Sequence, residues 1–227
     1  MQRKHIHVRG IVQGVGFRPF VYNLAGRFGL SGFVFNSSSG VTIEIEGAGS
    51  EVDNFLRILE QDPPQLAEVE QVTVSEMKAE GSVRFCILES REVRGDFALV
   101  PADTGVCAAC WDDFGDVSNR RYGYAFTNCT HCGPRYTIIH DVPYDRATTT
   151  MARFTMCTAC RLEYESPNDR RFHAEPVCCP ASTRQEATAV APFQLACTIV
   201  SSSVLLRLAR AAGGLAGCAL QGKRNAR

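Results

Sequence analysis

The cysteines constrain this chain more than any other feature, because their spacing is that of metal ligands. Cys107 and Cys110 form one C-x2-C pair, and Cys129 and Cys132 form another after 18 intervening residues. Each C-x2-C turn presents two thiolates on one side, so two such turns can close a tetrahedron around an ion. A redox role is disfavoured, because redox C-x2-C motifs occur singly within a thioredoxin-like pattern. We predict a structural zinc site whose four positions are all cysteine, with none open for chemistry.

The cysteine pattern repeats with an offset of 50 residues. The second copy contributes Cys157, Cys160 and Cys179. The repeat breaks at Ser182, where the fourth cysteine would stand, and a serine hydroxyl is a poor zinc ligand. A second zinc site is therefore short of one ligand unless Cys178 or His173 takes that place.

Two arginine pairs, Arg120-Arg121 and Arg170-Arg171, repeat together with the cysteines. Beside the nearby aromatic residues these pairs could bind nucleic acid. The formal net charge of the chain is +0, so a polyanion is not the expected partner. We expect the arginines to be solvated or to bind nearby acids.

The cysteines also bear on the cellular compartment. The segment Met1–His7 has no apolar run of signal-peptide length behind it. Thiols that ligate metal then fit a reducing compartment better than disulfides do, and we expect a cytoplasmic protein. No apolar run reaches the roughly 18 residues of a membrane span, so no membrane association is expected.

The first 91 residues carry alternating strand and helix patterns. A β-rich stretch ends at Val12, and apolar residues then recur at helical spacing from Phe17 to Phe28. The stretches 32–36 and 41–47 alternate and predict a hairpin. A second helical stretch and a further strand follow, which gives the order βαββαβ. This order predicts an α+β fold, the ferredoxin-like sandwich.

Three regions follow from these patterns. Residues 1–91 form the sandwich domain, and residues 92–182 form a small zinc-bound region with the duplicated four-cysteine unit. Residues 183–227 are rich in Ala, Ser and Gly, and we expect them to be a poorly ordered tail.

The loop between the first strand and the first helix has the composition of an anion site. Gly14 and Gly16 allow a tight turn that brings backbone N–H groups close to a ligand. Arg18 follows where a helix could begin, and backbone donors, a helix N-terminus and a guanidinium together suit a tetrahedral oxyanion. A bare G-x-G is equally compatible with an ordinary strand-to-helix turn. Asn36 ends the second strand, and in this topology it can face the same pocket as Arg18.

The stretch Val12–Arg18, followed by Gly32–Asn36 and Gly40-Val41, resembles the acylphosphatase family. The resemblance implies that Arg18 and Asn36 are catalytic: Arg18 binds the substrate phosphate and Asn36 orients the attacking water. The phosphate would also be bound by the loop residues Gln13, Gly14, Val15, Gly16 and Phe17. An acyl phosphate has a good leaving group, so it needs in-line water and support for a charge-spread phosphoryl group, but no metal. We expect Arg18→Ala to abolish turnover and to leave the fold intact.

An acylphosphatase-like domain followed by the duplicated cysteine unit resembles the hydrogenase-maturation carbamoyltransferase family, HypF, over about residues 1–181. Cys129–Tyr136 and Arg170–Pro176 look like the zinc-region signatures of that family. The resemblance implies carbamoyl phosphate as the substrate and Zn²⁺ as a structural metal. It also implies HypE as the partner that accepts the carbamoyl group, which becomes the cyanide ligand of nickel–iron hydrogenases.

Chains of that family are several times longer, so we expect only the first hydrolysis here and not full carbamoyl transfer. A shifted reading frame near Ser182, or a truncated gene, would explain both the missing cysteine and the foreign tail. Two other functions stay open at this point. One is a free-standing acylphosphatase with a non-specific substrate, and the other is a non-enzymatic zinc adaptor that binds protein or RNA.

Overall fold

The computed structural model describes residues 1–92 and 98–184. Its N-terminal part contains β1 (Gln2–Ile11), α1 (Phe17–Arg27), β2 (Ser31–Ser37), β3 (Gly40–Gly47), α2 (Gly49–Gln61), β4 (Glu68–Met77) and β5 (Phe85–Ile87). The strands form one sheet in the order β4-β1-β3-β2-β5. Neighbours are antiparallel except β2 and β5, which run parallel. The βαββαβ order with an added edge strand confirms the predicted α+β ferredoxin-like fold.

One face of the sheet carries the apolar core, because apolar residues occupy alternate positions of the central strands. Ile6 and Ile43 are paired across β1 and β3, and both are fully buried. α1 and α2 cover this face, and α2 places Val52, Phe55 and Leu59 on it at helical spacing. Full burial of such a side chain stabilises the fold by about 1.5–3 kcal/mol. The sheet therefore holds the end of β1 and the start of α1 in fixed positions.

The C-terminal part of the described chain, the finger region (residues 98–184), is built from two similar halves. It contains α3 (Ala108–Gly115), two 3-10 turns (Arg146–Thr148 and Thr150–Arg153), α4 (Thr158–Glu165) and α5 (Pro180–Arg184). α3 begins directly after Cys107 and α4 directly after Cys157, so the duplicated sequence forms duplicated structure.

The two halves also share a corner after their helices. Gly123 donates its N–H to the Phe114 carbonyl at 2.9 Å, and His173 donates to the Tyr164 carbonyl at 2.9 Å. Gly123 has a φ of 63° and His173 a φ of 51°. His173 thus adopts the left-handed conformation that glycine occupies in the first half, which few non-glycine residues do.

The expected tail lies almost wholly outside the described residues. Of residues 183–227, the structure describes Thr183 and Arg184, at the end of α5. Within the two described ranges, no helix is long and apolar enough to cross a membrane.

Candidate functional site

The loop between β1 and α1 has the backbone geometry that was predicted for an anion site. Gly14 and Gly16 have φ values of 69° and 78°, in the left-handed region that only glycine adopts freely. Gly16 is the N-cap of α1. Within the described part of the chain, the backbone amides of residues 14–18 donate no hydrogen bond. Free amides in series at a helix N-terminus form a site for a phosphate or carboxylate.

The two predicted catalytic side chains meet beside this loop. Arg18 Nη2 and Asn36 Nδ2 both donate to the Tyr144 carbonyl oxygen, each at 3.3 Å. The other amide atom, Asn36 Oδ1, is buried and has no hydrogen-bond partner among the described residues. The structure thus brings the guanidinium and the amide to one point, although they are far apart in sequence.

Gln13 contributes its side chain as well as its place in the loop. Its Nε2 donates to the carbonyl oxygens of Ser37 at 2.6 Å and Gly40 at 2.9 Å. Its Oε1 accepts the Tyr144 N–H at 2.8 Å. Gln13 therefore ties the β2–β3 turn and the finger region to the loop.

The finger region covers the loop and engages Arg18. Arg18 Nη2 lies 2.8 Å from Glu175 Oε1, and Arg18 Nη1 lies 2.7 Å from Asp145 Oδ1. Arg135 donates to the Gly14 carbonyl from the same side. The space left between loop and cover is about 20 Å³ for a water-sized sphere. This volume admits one water molecule and is too small for an acyl phosphate.

The Arg18 guanidinium faces more negative than positive charge, because it pairs with two carboxylates. Although burial acts to lower it, the pKa of Arg18 is raised above its usual value by the carboxylates of Glu175 and Asp145. Burial raises the pKa of Glu175, against the opposing effect of Arg18. Glu175 Oε2 also accepts hydrogen bonds from the Arg146 N–H at 2.9 Å and the Tyr164 hydroxyl at 3.0 Å. One guanidinium therefore faces two acids, which compete with any phosphate for it.

His173 lines the same cavity. Its burial, and to a smaller extent the charge of Arg18, lower its pKa to about 4. With His173 neutral, the positive charges that line the cavity are those of Arg18 and Arg135.

The cysteines of the first half form a compact cluster. The sulfur atoms of Cys107, Cys110, Cys129 and Cys132 all lie within 4.8 Å of one another. Cys129 Sγ is 3.8 Å from Cys107 Sγ and 3.7 Å from Cys132 Sγ. Four sulfurs about 2.3 Å from a tetrahedral zinc ion stand about 3.8 Å apart. The four predicted ligands therefore fit zinc.

The cysteines of the second half form a cluster of three, Cys157, Cys160 and Cys179. The Sγ atoms of Cys157 and Cys179 are 3.6 Å apart. The two residues considered as substitutes for the missing cysteine, Cys178 and His173, do not belong to this group. The fully buried Ser182 lies against it instead.

The repeated arginines cross between the two halves. Arg120 of the first half donates to Cys160 Sγ at 3.2 Å, and Arg170 of the second half donates to Cys110 Sγ at 2.9 Å. Each pair also binds an acid of the opposite half. Arg121 Nη1 donates a hydrogen bond to Glu163 at 2.9 Å, and Arg171 Nη2 donates one to Asp113. The arginines therefore form hydrogen bonds and ion pairs with acids and cysteines of this chain, in agreement with the expectation that they bind nearby acids.

Sequence reasoning did not assign the residues that cover the loop. Tyr144, Asp145 and Glu175 follow Arg18 by more than a hundred positions and share no spacing with it. Arg135 and Glu175 lie within the two stretches that resemble zinc-region signatures, but neither belongs to a cysteine cluster. One sequence feature pointed to them. Charged residues stand near the cysteines at positions whose spacing does not fit a metal ligand.

Two family models match the chain. The acylphosphatase model matches residues 4–87, and the HypF finger model matches residues 106–139 and 156–181. The acylphosphatase of Thermotoga petrophila is 41% identical over 88 residues, which are 38% of this chain and 97% of that protein. Both resemblances seen in the sequence are confirmed.

Longer relatives match across both regions. The carbamoyltransferase HypF of Rhodobacter capsulatus is 47% identical over 180 residues, which are 79% of this chain and 24% of that protein. A crystal structure of full-length HypF in a phosphate- and nucleotide-bound form matches with a TM-score of 0.77 and 47% identity, covering 80% of this chain and 24% of that one. The chain thus spans about a quarter of the length of these HypF relatives.

Proposed function

This chain belongs to the acylphosphatase family and carries the HypF finger, and from that premise we propose that it hydrolyses carbamoyl phosphate at Arg18 and Asn36. In this proposal the loop amides of residues 13–17 and Arg18 bind the phosphoryl group. Asn36 orients the attacking water.

The observation that carries the proposal is the convergence of Arg18 and Asn36 on one oxygen. Both donate to the Tyr144 carbonyl at 3.3 Å, beside loop amides that have no other partner among the described residues. An oxygen of the substrate phosphate can take the position of that carbonyl. The unpartnered Asn36 Oδ1 can then accept a hydrogen bond from water.

The reaction needs only these groups. The water oxygen forms a bond to phosphorus while the bond from phosphorus to the carbamoyl oxygen breaks. Carbamate leaves with the electron pair of that bond, and the protons of the water end on phosphate or in solvent. Arg18 and the loop amides stabilise the negative charge spread over the phosphoryl oxygens, which is the main demand of such a transition state.

Substrate entry requires the cover to move. The cavity has room for one water molecule, and Glu175 and Asp145 form ion pairs with the Arg18 guanidinium. We therefore place a displacement of the segments around Tyr144 and Glu175 before substrate binding. A phosphate dianion that binds Arg18 replaces the charge those acids supply.

The HypF finger supports carbamoyl phosphate over other acyl phosphates, because relatives with both regions are named carbamoyltransferases. In the same proposal the carbamoyl acceptor is HypE, the compartment is the cytoplasm and the finger metal is zinc. Only the hydrolysis is assigned to the residues that the structure describes.

Phosphate release from carbamoyl phosphate and from acetyl phosphate tests the proposal on wild type and on two variants. Arg18→Lys keeps the charge but loses the planar, two-pronged donor geometry of the guanidinium. Asn36→Ala removes the water-orienting amide. We expect both variants to lose most turnover and wild type to prefer carbamoyl phosphate.

The other outcomes separate the alternatives. Equal rates on both substrates would favour a free-standing acylphosphatase of broad specificity. No turnover by a wild-type chain that holds its metal would favour an adaptor role. Native rates in Arg18→Lys and Asn36→Ala would refute the assigned site.

A further inference from the structure

Ser182 occupies the place of the fourth ligand in the second cysteine cluster. It follows Cys179 by three positions, as Cys132 follows Cys129, and its side chain is fully buried. The backbone N–H of Cys157 donates to Ser182 Oγ at 3.2 Å. Cys132 holds the equivalent position in the first half, in the cluster with Cys107.

The Ser182 hydroxyl also has the right distances for a metal-bound oxygen. Ser182 Oγ lies 3.5 Å from Cys160 Sγ and 3.6 Å from Cys179 Sγ. In a tetrahedral site with a sulfur at about 2.3 Å and an oxygen at about 2.0 Å from zinc, these two ligands stand about 3.5 Å apart. The distances from the hydroxyl oxygen to these two sulfurs are therefore those of an oxygen ligand in such a site.

The two alternative ligands lie outside the second cluster. Cys178 packs into an apolar cluster with Ile138, Met151 and Phe154. His173 packs its ring on Tyr164 with a centroid distance of 4.9 Å, beside the cavity over the phosphate loop. Among the described residues, Ser182 is therefore the candidate for a fourth ligand of the second cluster.

We propose that the chain holds two zinc ions of unequal stability, the first bound by four cysteines and the second by Cys157, Cys160, Cys179 and the Ser182 hydroxyl. A neutral hydroxyl is a harder and weaker donor than a thiolate, so the second ion is held by three strong bonds instead of four. The site also carries one negative charge fewer. The second zinc is consequently released to a chelator faster than the first. This inference does not depend on the acylphosphatase activity.

The test measures zinc release from the purified full chain by a chromogenic chelator. We expect two zinc ions per chain, one for each cluster, released in two phases. The faster phase should exceed the slower one by at least about tenfold, since loss of even an outer-shell partner costs about 10–100-fold in metal affinity. Ser182→Cys should merge both phases into the slow one, and Ser182→Ala should make the fast phase faster still.

A matched variant and a second measurement show which cluster releases its zinc in the fast phase. Cys132→Ser introduces the same three-cysteine, one-serine set into the first half and should give two fast phases. Alkylation followed by mass spectrometry then identifies which of the seven cluster thiols lose protection first, and in wild type these should be Cys157, Cys160 and Cys179. Cobalt substitution adds a structural readout, because the thiolate-to-cobalt absorption should rise in Ser182→Cys.

Two results would overturn the inference. One is a single zinc ion per wild-type chain that becomes two in Ser182→Cys, which would mean that serine breaks the site. The other is identical release from wild type and Ser182→Ala, which would mean that the hydroxyl does not ligate the metal.

Discussion

Arg18 Nη2 lies 2.8 Å from Glu175 Oε1, across 157 positions of sequence. Both side chains are buried, at 8% and 3% exposure. The contact joins the loop between β1 and α1 to the finger region, and it places a carboxylate against the guanidinium that would bind substrate in the proposed reaction.

Glu175→Gln should ease substrate binding. The amide keeps the size of the side chain but removes the negative charge that competes with phosphate for Arg18. We expect the KM for carbamoyl phosphate to fall by roughly tenfold, the equivalent of about 1.4 kcal/mol. Steady-state phosphate release measures it. Glu165→Gln, at an exposed side chain paired with Arg161, is the control and should leave the KM unchanged. A higher KM in Glu175→Gln would show that the acid positions Arg18 for substrate and does not compete with it.

Arg18→Ala should destabilise the protein, although the sequence alone predicted an intact fold. Removing the cation leaves Glu175 buried without its partner, which costs about 3–5 kcal/mol. Adding Glu175→Gln should recover part of this loss, because the amide needs no counter-charge. Urea unfolding of the two single variants and the double variant gives the coupling free energy. Additive losses would contradict a direct interaction between Arg18 and Glu175.

His173 should make the protein acid-sensitive. Its pKa is lowered to about 4 in the folded state, against about 6.5 in an unfolded chain. The unfolded state then binds more protons between these values, so stability is complete above pH 6.5 and is lost as the pH falls towards 4. The loss is on the order of 1–3 kcal/mol.

His173→Asn tests this sign. Asparagine tolerates the left-handed backbone that His173 adopts, and it has no titrating ring. We expect a shallower fall in the free energy of unfolding between pH 6.5 and 4 than in wild type. Acid-driven loss of metal is common to both proteins and cancels in the comparison. Parallel pH profiles would show that the ring does not carry the effect.

Arg170→Met should weaken metal binding in the first half although Arg170 belongs to the second. Its guanidinium donates to Cys110 Sγ at 2.9 Å, and such outer-shell partners are worth about 10–100-fold in metal affinity. Arg120→Met should weaken the second half, through Cys160. Thiol alkylation read by mass spectrometry distinguishes the halves. Arg161→Met, at an exposed position, serves as the control. Loss of protection in the arginine's own half would contradict the crossed arrangement.

Local patterns were enough to predict the sandwich and the ligands. Strand alternation and helical spacing predicted the order of elements up to β4, because each pattern is set by residues close in sequence and by the burial of one face. The C-x2-C spacing likewise grouped the cysteines, since two residues between ligands fix a turn. The glycines of the loop were predicted for the same reason, because their positive φ is a property of the local backbone.

Only the tertiary structure decided which residues contact Arg18 and Ser182. The sequence determined that Arg18 opens a helix after a glycine loop, but only packing determined that Glu175 and Asp145 neutralise it. The sequence determined that Ser182 breaks the repeat, and the structure placed its hydroxyl at ligand distance from two cysteines. These contacts join residues that have no common period along the chain. They form where the sandwich and the finger region bury charged and polar groups against each other, because a buried polar group without a partner costs free energy.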